Sequence, residues 1–399
     1  MNVDHNQESG ESASRRFRVR TFWATATVIV LCGLTLFFLT ARRGGGLLEQ
    51  VRATQKEAPQ AALQLIEQAI ADAGGTYPDA QVMKCQLLGT LESWRAAERY
   101  YDTIESPQSS DQKILIELAL AANQSHSAWL AERALLAANH PGPEKERVLR
   151  LLLTVQYDLG EMGAVLKICD ELAQLAPQDP EPWLVSAGIL HETEQLSPAL
   201  SAYQEALKRS PSEQESLRVR FQMAEVSLHL GNLETAEQHI KFVRNLSPTM
   251  PEIDLTYAKL LRRKGQNSQA RSLVESILAK ERHFPGGIML RGLLNFDAGD
   301  FHAAAADFRA VVAINPFQHN AHYKLGQTLQ RLGMTEESES HFERSLQLTN
   351  AVSQLLFLRR QLDENPTSRE LRLKLAEQHL LLGDAQSAAH WRRTAEDRH

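Results

Sequence analysis

His319 and His322 stand three positions apart, a spacing that can bring two imidazoles together at the start of a helix and so begin a metal site. Zinc takes at least three protein ligands, and no third ligand is evident near this pair, so no metal is expected. His191 with Glu192, and Asp297 with His302, set an imidazole beside a carboxylate, the parts of general acid and base chemistry. Both pairs fall on ordinary helix or turn positions, and neither has an evident nucleophile.

The three cysteines, Cys32, Cys85 and Cys169, are far apart, and no CxxC or CxxCH occurs. A zinc site, a c-type haem and a disulfide framework are therefore not indicated. Gly44, Gly45 and Gly46 are too isolated for a phosphate-binding loop and read as a short flexible joint. The expectation is a protein that is not an enzyme and carries no cofactor.

What would position such residues is helix. Hydrophobic residues make up 43% of the 399 positions and charged residues 23%, which suits a folded core, while aromatics are only 6%. Ala, Leu, Gln and Glu dominate the long central stretches and favour helix over strand. One segment departs from this. Residues 21–41, TFWATATVIVLCGLTLFFLTA, carry no charge between Arg20 and Arg42. As a helix this run would be about 31 Å long, close to the hydrocarbon thickness of a bilayer.

The run reads as one transmembrane helix. Cleavage after Ala41 would put Leu39 where a signal peptidase needs a small residue, and Leu31 before Cys32 does not fit a lipidation site. Arg15, Arg16, Arg18 and Arg20 precede it, while Arg42, Arg43, Arg52 and Lys56 follow, so the balance of flanking charge alone does not fix the orientation. A short tail ending in an arginine cluster, an apolar run and then a long domain resembles an uncleaved signal anchor. That arrangement leaves the N-terminus in the cytoplasm and the domain outside it, with the helix in an inner membrane. Beyond residue 43 the chain holds 37 Lys and Arg against 46 Asp and Glu, which argues against nucleic-acid binding.

The long domain follows a ruler. Gly231, Gly265, Gly299 and Gly333 are each 34 residues apart, closing the segments RFQMAEVSLHLG, DLTYAKLLRRKG, IMLRGLLNFDAG and NAHYKLGQTLQRLG. A period of that length marks a solenoid of helix pairs. Frames abut from Leu217, Pro251, Pro285 and His319. Position 8 is Ala224, Ala258, Gly292 and Gly326; position 20 is Ala236, Ala270, Ala304 and Ser338; position 24 is Ile240, Val274, Phe308 and Phe342. In the preceding frame Trp183, Ala187, Ala199, Tyr203, Ala206 and Pro211 occupy positions 4, 8, 20, 24, 27 and 32.

This pattern resembles the tetratricopeptide repeat family. The resemblance implies an all-α, right-handed superhelical solenoid, in which Gly326 lets helix A meet helix B and Gly333 ends helix A in a left-handed cap. The organisation expected is a basic tail over 1–20, the transmembrane helix over 21–41, a linker and weak first repeat over 42–77, and the array over 78–350. Its frames start near 78, 112, 146, 180, 217, 251, 285 and 319. An extra amphipathic helix follows over 351–368, then a terminal helix pair over 369–399. Residues 214–216 read as an insertion, and position 32 is Arg282 and Asn350 in two frames. Cys85 and Cys169 fall on packing positions and read as core.

Proteins of this family present a concave groove lined by helix A. At position 5 the groove would show Leu184, Phe221, Leu255, Met289 and Tyr323, with Lys259, Arg262, Arg263, Gln327, Gln330 and Arg331 around them. Two readings of position 5 stand: contact with an amphipathic or extended peptide, or an extension of the core. Leu184/Gly188 and Phe221/Glu225 replace the Lys and Asn of a carboxylate clamp, so that binding mode is not expected. Arg147, Arg150 and Tyr157 form a second patch, for which solvated charge is the simpler role. The function implied is a membrane-anchored scaffold that binds proteins or peptides and recruits or assembles envelope complexes in a bacterium. A self-associating structural protein is the alternative, and an enzyme or transferase subunit the more remote one.

Overall fold

A computed structural model describes residues 46–209, 211–247 and 250–396. The basic tail and the transmembrane helix expected over 21–41 lie outside the described residues. Among those described, no helix is long and apolar enough to cross a membrane. The described elements are α-helices, apart from one 3₁₀ turn over Pro107–Ser109. The chain divides after Lys145 into two compact units.

The first unit holds α1 (46–54), α2 (Pro59–Asp72), α3 (Pro78–Leu91), α4 (Trp94–Tyr101), α5 (Gln112–Gln124) and α6 (Ala128–Ala138). Gly46, the last residue of the expected joint, is already helical. Local chemistry sets the starts: proline occupies the first turn of α2 and α3, the Ser93 side chain accepts from the amide of Ala96, and Asp111 accepts from that of Lys113. Cys85 is fully buried, and desolvation pushes its thiol up to about 12, so it packs as a small apolar group.

The second unit contains seven antiparallel pairs: α7 (Lys145–Leu159, opening at the unit boundary) with α8 (Met162–Leu175), α9 (Glu181–Glu192) with α10 (Leu196–Lys208), α11 (Glu213–Leu230) with α12 (Leu233–Leu246), α13 (Pro251–Arg263) with α14 (Asn267–Lys280), α15 (Pro285–Asp297) with α16 (Phe301–Ile314), α17 (His319–Arg331) with α18 (Thr335–Glu364), and α19 (Arg369–Leu381) with α20 (Ala385–Glu396). Ala187, Ala224, Ala258, Ala199, Ala236, Ala270 and Ala304 are fully buried where paired helices meet. At Gly326 an added Cβ would stand 3.0 Å from the Phe342 ring, a contact so tight that the ring would have to shift. Gly333 has φ +78°, the left-handed cap that ends α17.

Two places depart from the regular frame. Residues 214–216 do not loop out. They lengthen α11 by a first turn, which Ser212 and Glu215 close as a capping box. The extra helix expected over 351–368 is not separate either: α18 runs unbroken for 30 residues, from helix B of one pair into the packing of the next. Asn350 stands where a proline would have stopped it, and the distal half sets Leu358 and Leu362 against Leu375, Ala376, Ala388 and Trp391.

The last pair returns to the first. Gly163 N–H donates to Asp363 Oδ1 at 2.9 Å across 200 residues, and the Arg372 guanidinium donates to the carbonyl of Leu159. Arg372 Nη2 also lies 3.5 Å from Glu161 Oε1. A Cβ on Gly160 would come within 2.2 Å of the Trp391 ring, so the glycine that ends α7 at φ +76° also seats that indole. These contacts close the unit on itself.

Candidate functional site

The face of the second unit formed by α7, α9 and α11 carries a cavity of about 480 Å³. Leu153, Tyr157, Leu184, Val185 and Ile189 give it an apolar wall, and Asp158, Glu192 and Arg218 stand among the lining residues. Gly188 faces the opening: a Cβ built there meets no atom within 4 Å. Glycine inside α9 forgoes about 0.5–1 kcal/mol of helix stability relative to alanine, and nothing in the packing of α9 requires it. Burial pushes the phenols of Tyr157 and Tyr203 above their ordinary value, helped at Tyr157 by Glu192, so both present neutral hydroxyls.

A second cavity, of about 620 Å³, lies one repeat further along between α11, α12 and the start of α13. Leu217, Phe221, Val243, Met250 and Ile253 line it, and Arg218 belongs to both linings. Leu184 and Phe221, two rungs of the expected ladder, thus sit one in each cavity and are partly buried.

The other expected groove residues are distributed differently. Leu255 is 7% exposed and belongs to a core cluster with Leu290 and Leu294, and Met289 packs against the same cluster. Tyr323 is 45% exposed and meets the Phe342 ring edge-on at 5.7 Å. Arg262 is tied to Asp297 by bonds of 2.6 and 3.1 Å, Arg263 donates to the carbonyl of Leu228, and Gln327 accepts from Lys324 at 2.9 Å. Lys259, Gln330 and Arg331 are exposed. In the second patch Arg150 is held by Glu146, Asp179 and Glu181, which push its pKa further up, while Tyr157 belongs to the first cavity.

The residues with chemical potential are also engaged in packing. His322 pairs with His341 rather than His319, Nδ1 to Nδ1 at 2.9 Å. Its Nε2 lies 3.1 Å from the Pro316 carbonyl, which can only accept, so Nε2 carries the proton and Nδ1 accepts from His341. Asp297 is the partner of Arg262, and His191 sits edge-on to Tyr203 at 6.4 Å. Among the described residues, no group of three or more His, Cys, Asp or Glu is placed to hold a metal ion.

Sequence reasoning named Glu192 only beside His191 as an acid–base pair and Gly188 only as a position unfit for a carboxylate clamp, and it did not mark Asp158 or Arg218 as facing a ligand. The available signal was a glycine at position 9, mid-helix, where no close packing of two helices calls for one.

The tetratricopeptide repeat family model TPR_16 matches residues 289–352. No curated protein matches the sequence. Among solved structures, a tetratricopeptide repeat protein from Parabacteroides merdae is similar at 19% identity and a TM-score of 0.53, over 62% of this chain and 98% of that one. A chain of the Naa15/Naa10 complex bound to HypK-THB is similar at 14% identity and a TM-score of 0.53, over 90% of this chain and 64% of that one. At these identities the likeness is one of fold: helix pairs of the tetratricopeptide type.

Proposed function

We propose that this protein is a membrane-anchored recruiter that grips an extended segment of a partner protein on the inner face of α7, α9 and α11. The observation that carries the reading is the cavity that Gly188 faces, an apolar recess between successive repeats with Asp158, Glu192 and Arg218 among its lining residues. Pockets of this composition bind by burying one side chain and orienting the rest with a few polar contacts. Residues 21–41 would hold the chain in a bacterial inner membrane, with the repeats on the extracytoplasmic side and envelope proteins as partners. The charge-free run between Arg20 and Arg42 supports the membrane span, and the order of arginine-rich tail, apolar run and long domain supports the side.

Mild crosslinking in native membranes, followed by purification of the full chain, tests the grip when wild type is run beside Gly188→Trp and the Leu184→Glu/Phe221→Glu double variant. A defined set of proteins lost from both variants, with helicity and Tm retained, is expected. The same proteins with all three forms would place binding elsewhere. Removal of residues 1–43 should move the protein from the membrane pellet to the supernatant, and protease access in spheroplasts reports the side.

A second reading, self-association, draws on the exposed Leu346 and Phe357, which lie about three turns apart on one face of α18. A size that rises with concentration, and falls back in Phe357→Glu, would favour it.

A further inference from the structure

The charge order along the inner face says more about the partner, and this step rests on the peptide-binding reading above. Arg218 on α11 is exposed and belongs to the linings of both cavities. It makes no hydrogen bond or ion pair among the described residues. Its acidic neighbour Glu215 is already used: its carboxylate accepts from the Ser212 amide at 3.1 Å and the Ser212 hydroxyl at 2.7 Å, closing the cap of α11. A guanidinium held between two apolar recesses with its donors unused is a site for a carboxylate, the acceptor it binds most strongly. Asp158 of α7 and Glu192 of α9 also line the first cavity. Asp158 and Glu192 stand at the C-terminal ends of α7 and α9, whereas Arg218 lies in the first half of α11, so acid and base flank the first recess and the second recess lies beyond Arg218.

We propose that the segment bound here is an extended peptide of complementary order: a basic residue, an apolar side chain over Gly188, an acidic residue on Arg218, and a second apolar side chain against Phe221. Neighbouring A helices lie roughly 10 Å apart, so the face from α7 to α11 spans roughly six or seven extended residues. Each apolar recess supplies burial, and the charges fix which residue enters which recess and exclude segments of the opposite pattern.

The test is selection from a phage-displayed random library of peptides about twelve residues long, long enough to span this face. The bait is the full chain in mild detergent, as wild type, Arg218→Glu, Arg218→Gln and Gly188→Trp, each checked for helicity and Tm. Wild type should enrich peptides with an acidic residue between two apolar ones and a basic residue beyond one of them. Arg218→Glu should keep the apolar pair and exchange the acid for Lys or Arg. The wild-type consensus peptide should bind Arg218→Glu about fivefold or more weakly, and its acid-to-lysine version should recover. The same charge-blind peptides from wild type and both Arg218 variants would overturn the proposal while leaving the recess intact as a binding site. If no peptides enrich, or if enrichment persists in Gly188→Trp, the inner-face reading fails and this one with it.

Discussion

The guanidinium of Arg372 donates to the main-chain oxygen of Leu159, 213 residues earlier in the chain. Arg372 is 1% exposed, its Nη2 donates to Pro366 O at 2.7 Å, and Glu161 lies 3.5 Å away with 7% of its side chain exposed. An open solenoid must cover its ends with polar caps, whereas here the terminal pair is covered by the first pair of the second unit.

Breaking that contact should loosen the last pair. Arg372→Met leaves Glu161 buried beside a neutral side chain, a change that costs about 3–5 kcal/mol for buried pairs. We expect a lower Tm and faster amide hydrogen exchange throughout α19 and α20, ahead of the other helices. Unchanged exchange in α19 and α20 would mean that the closure does not hold them.

The α15–α16 pair hides a polar network. Asp307, 6% exposed, accepts from Arg291 at 2.6 Å and from Asn295 at 2.9 Å, while Arg271 donates to Asn295 Oδ1 at 2.8 Å. Asp307→Ala should cost about 2 kcal/mol, below the value for a fully buried pair because Arg291 keeps contact with water. In a unit of this size that is a fall of roughly 4–8 °C in Tm. A loss under about 1 kcal/mol would show that the freed groups find water cheaply.

Helix A ends on a left-handed residue in most repeats, and two of those residues are not glycine: His126 at φ 64° and Glu194 at φ 59°. A side chain in that region costs about 1–2 kcal/mol. Glu194→Gly should therefore raise Tm and Gly299→Ala, at φ +80°, should lower it. Denaturant melts with equal m-values would check both, and a destabilising Glu194→Gly would point to a contact of the Glu194 side chain that outweighs the strain.

Mild acid should destabilise the second unit. Burial lowers the pKa of His322 and His341 below 6.5, and the His322 ring lowers that of His341 further. Arg344 near His322 and Arg309 near His341 lower them further, whereas Glu337 and the Pro316 carbonyl act in the opposite sense. Since the folded state binds protons less readily than the unfolded one, the stability is fully present above about pH 6.5 and is lost as pH falls through the folded values. His229, His239, His379 and His390 are shifted the same way. Tm should fall between about pH 7 and pH 5, and less steeply in a His322→Gln/His341→Gln variant that still folds. Equal slopes would shift the effect to the other four histidines.

The helix pairs were legible because their signals are local. A 34-residue period, Pro at helix starts, Gly at helix ends and small residues at crossing points each act within one repeat. The site was half legible. Leu184 and Phe221 stand out as rungs, but the same arithmetic picks Leu255, which neighbouring helices bury, and Arg262, which Asp297 takes up. Position within a repeat fixes which way a side chain leaves its helix, not what waits for it there.

By itself, then, the sequence determined an all-helical repeat array, where its helices pair, and a charge-free run long enough to span a bilayer, since periodicity and propensity are properties of neighbouring residues. Tertiary structure alone decided the closure and the site. Arg372 falls at position 4 of its frame, where Arg220, Asp254 and His322 stand in others, and nothing in its own repeat marks it as the residue that reaches Leu159. Small rotations between successive pairs add up along the second unit until its last pair meets its first, and that sum is not written in any one repeat. The recess over Gly188 and Arg218 beside it are set by how α7, α9 and α11 lie side by side.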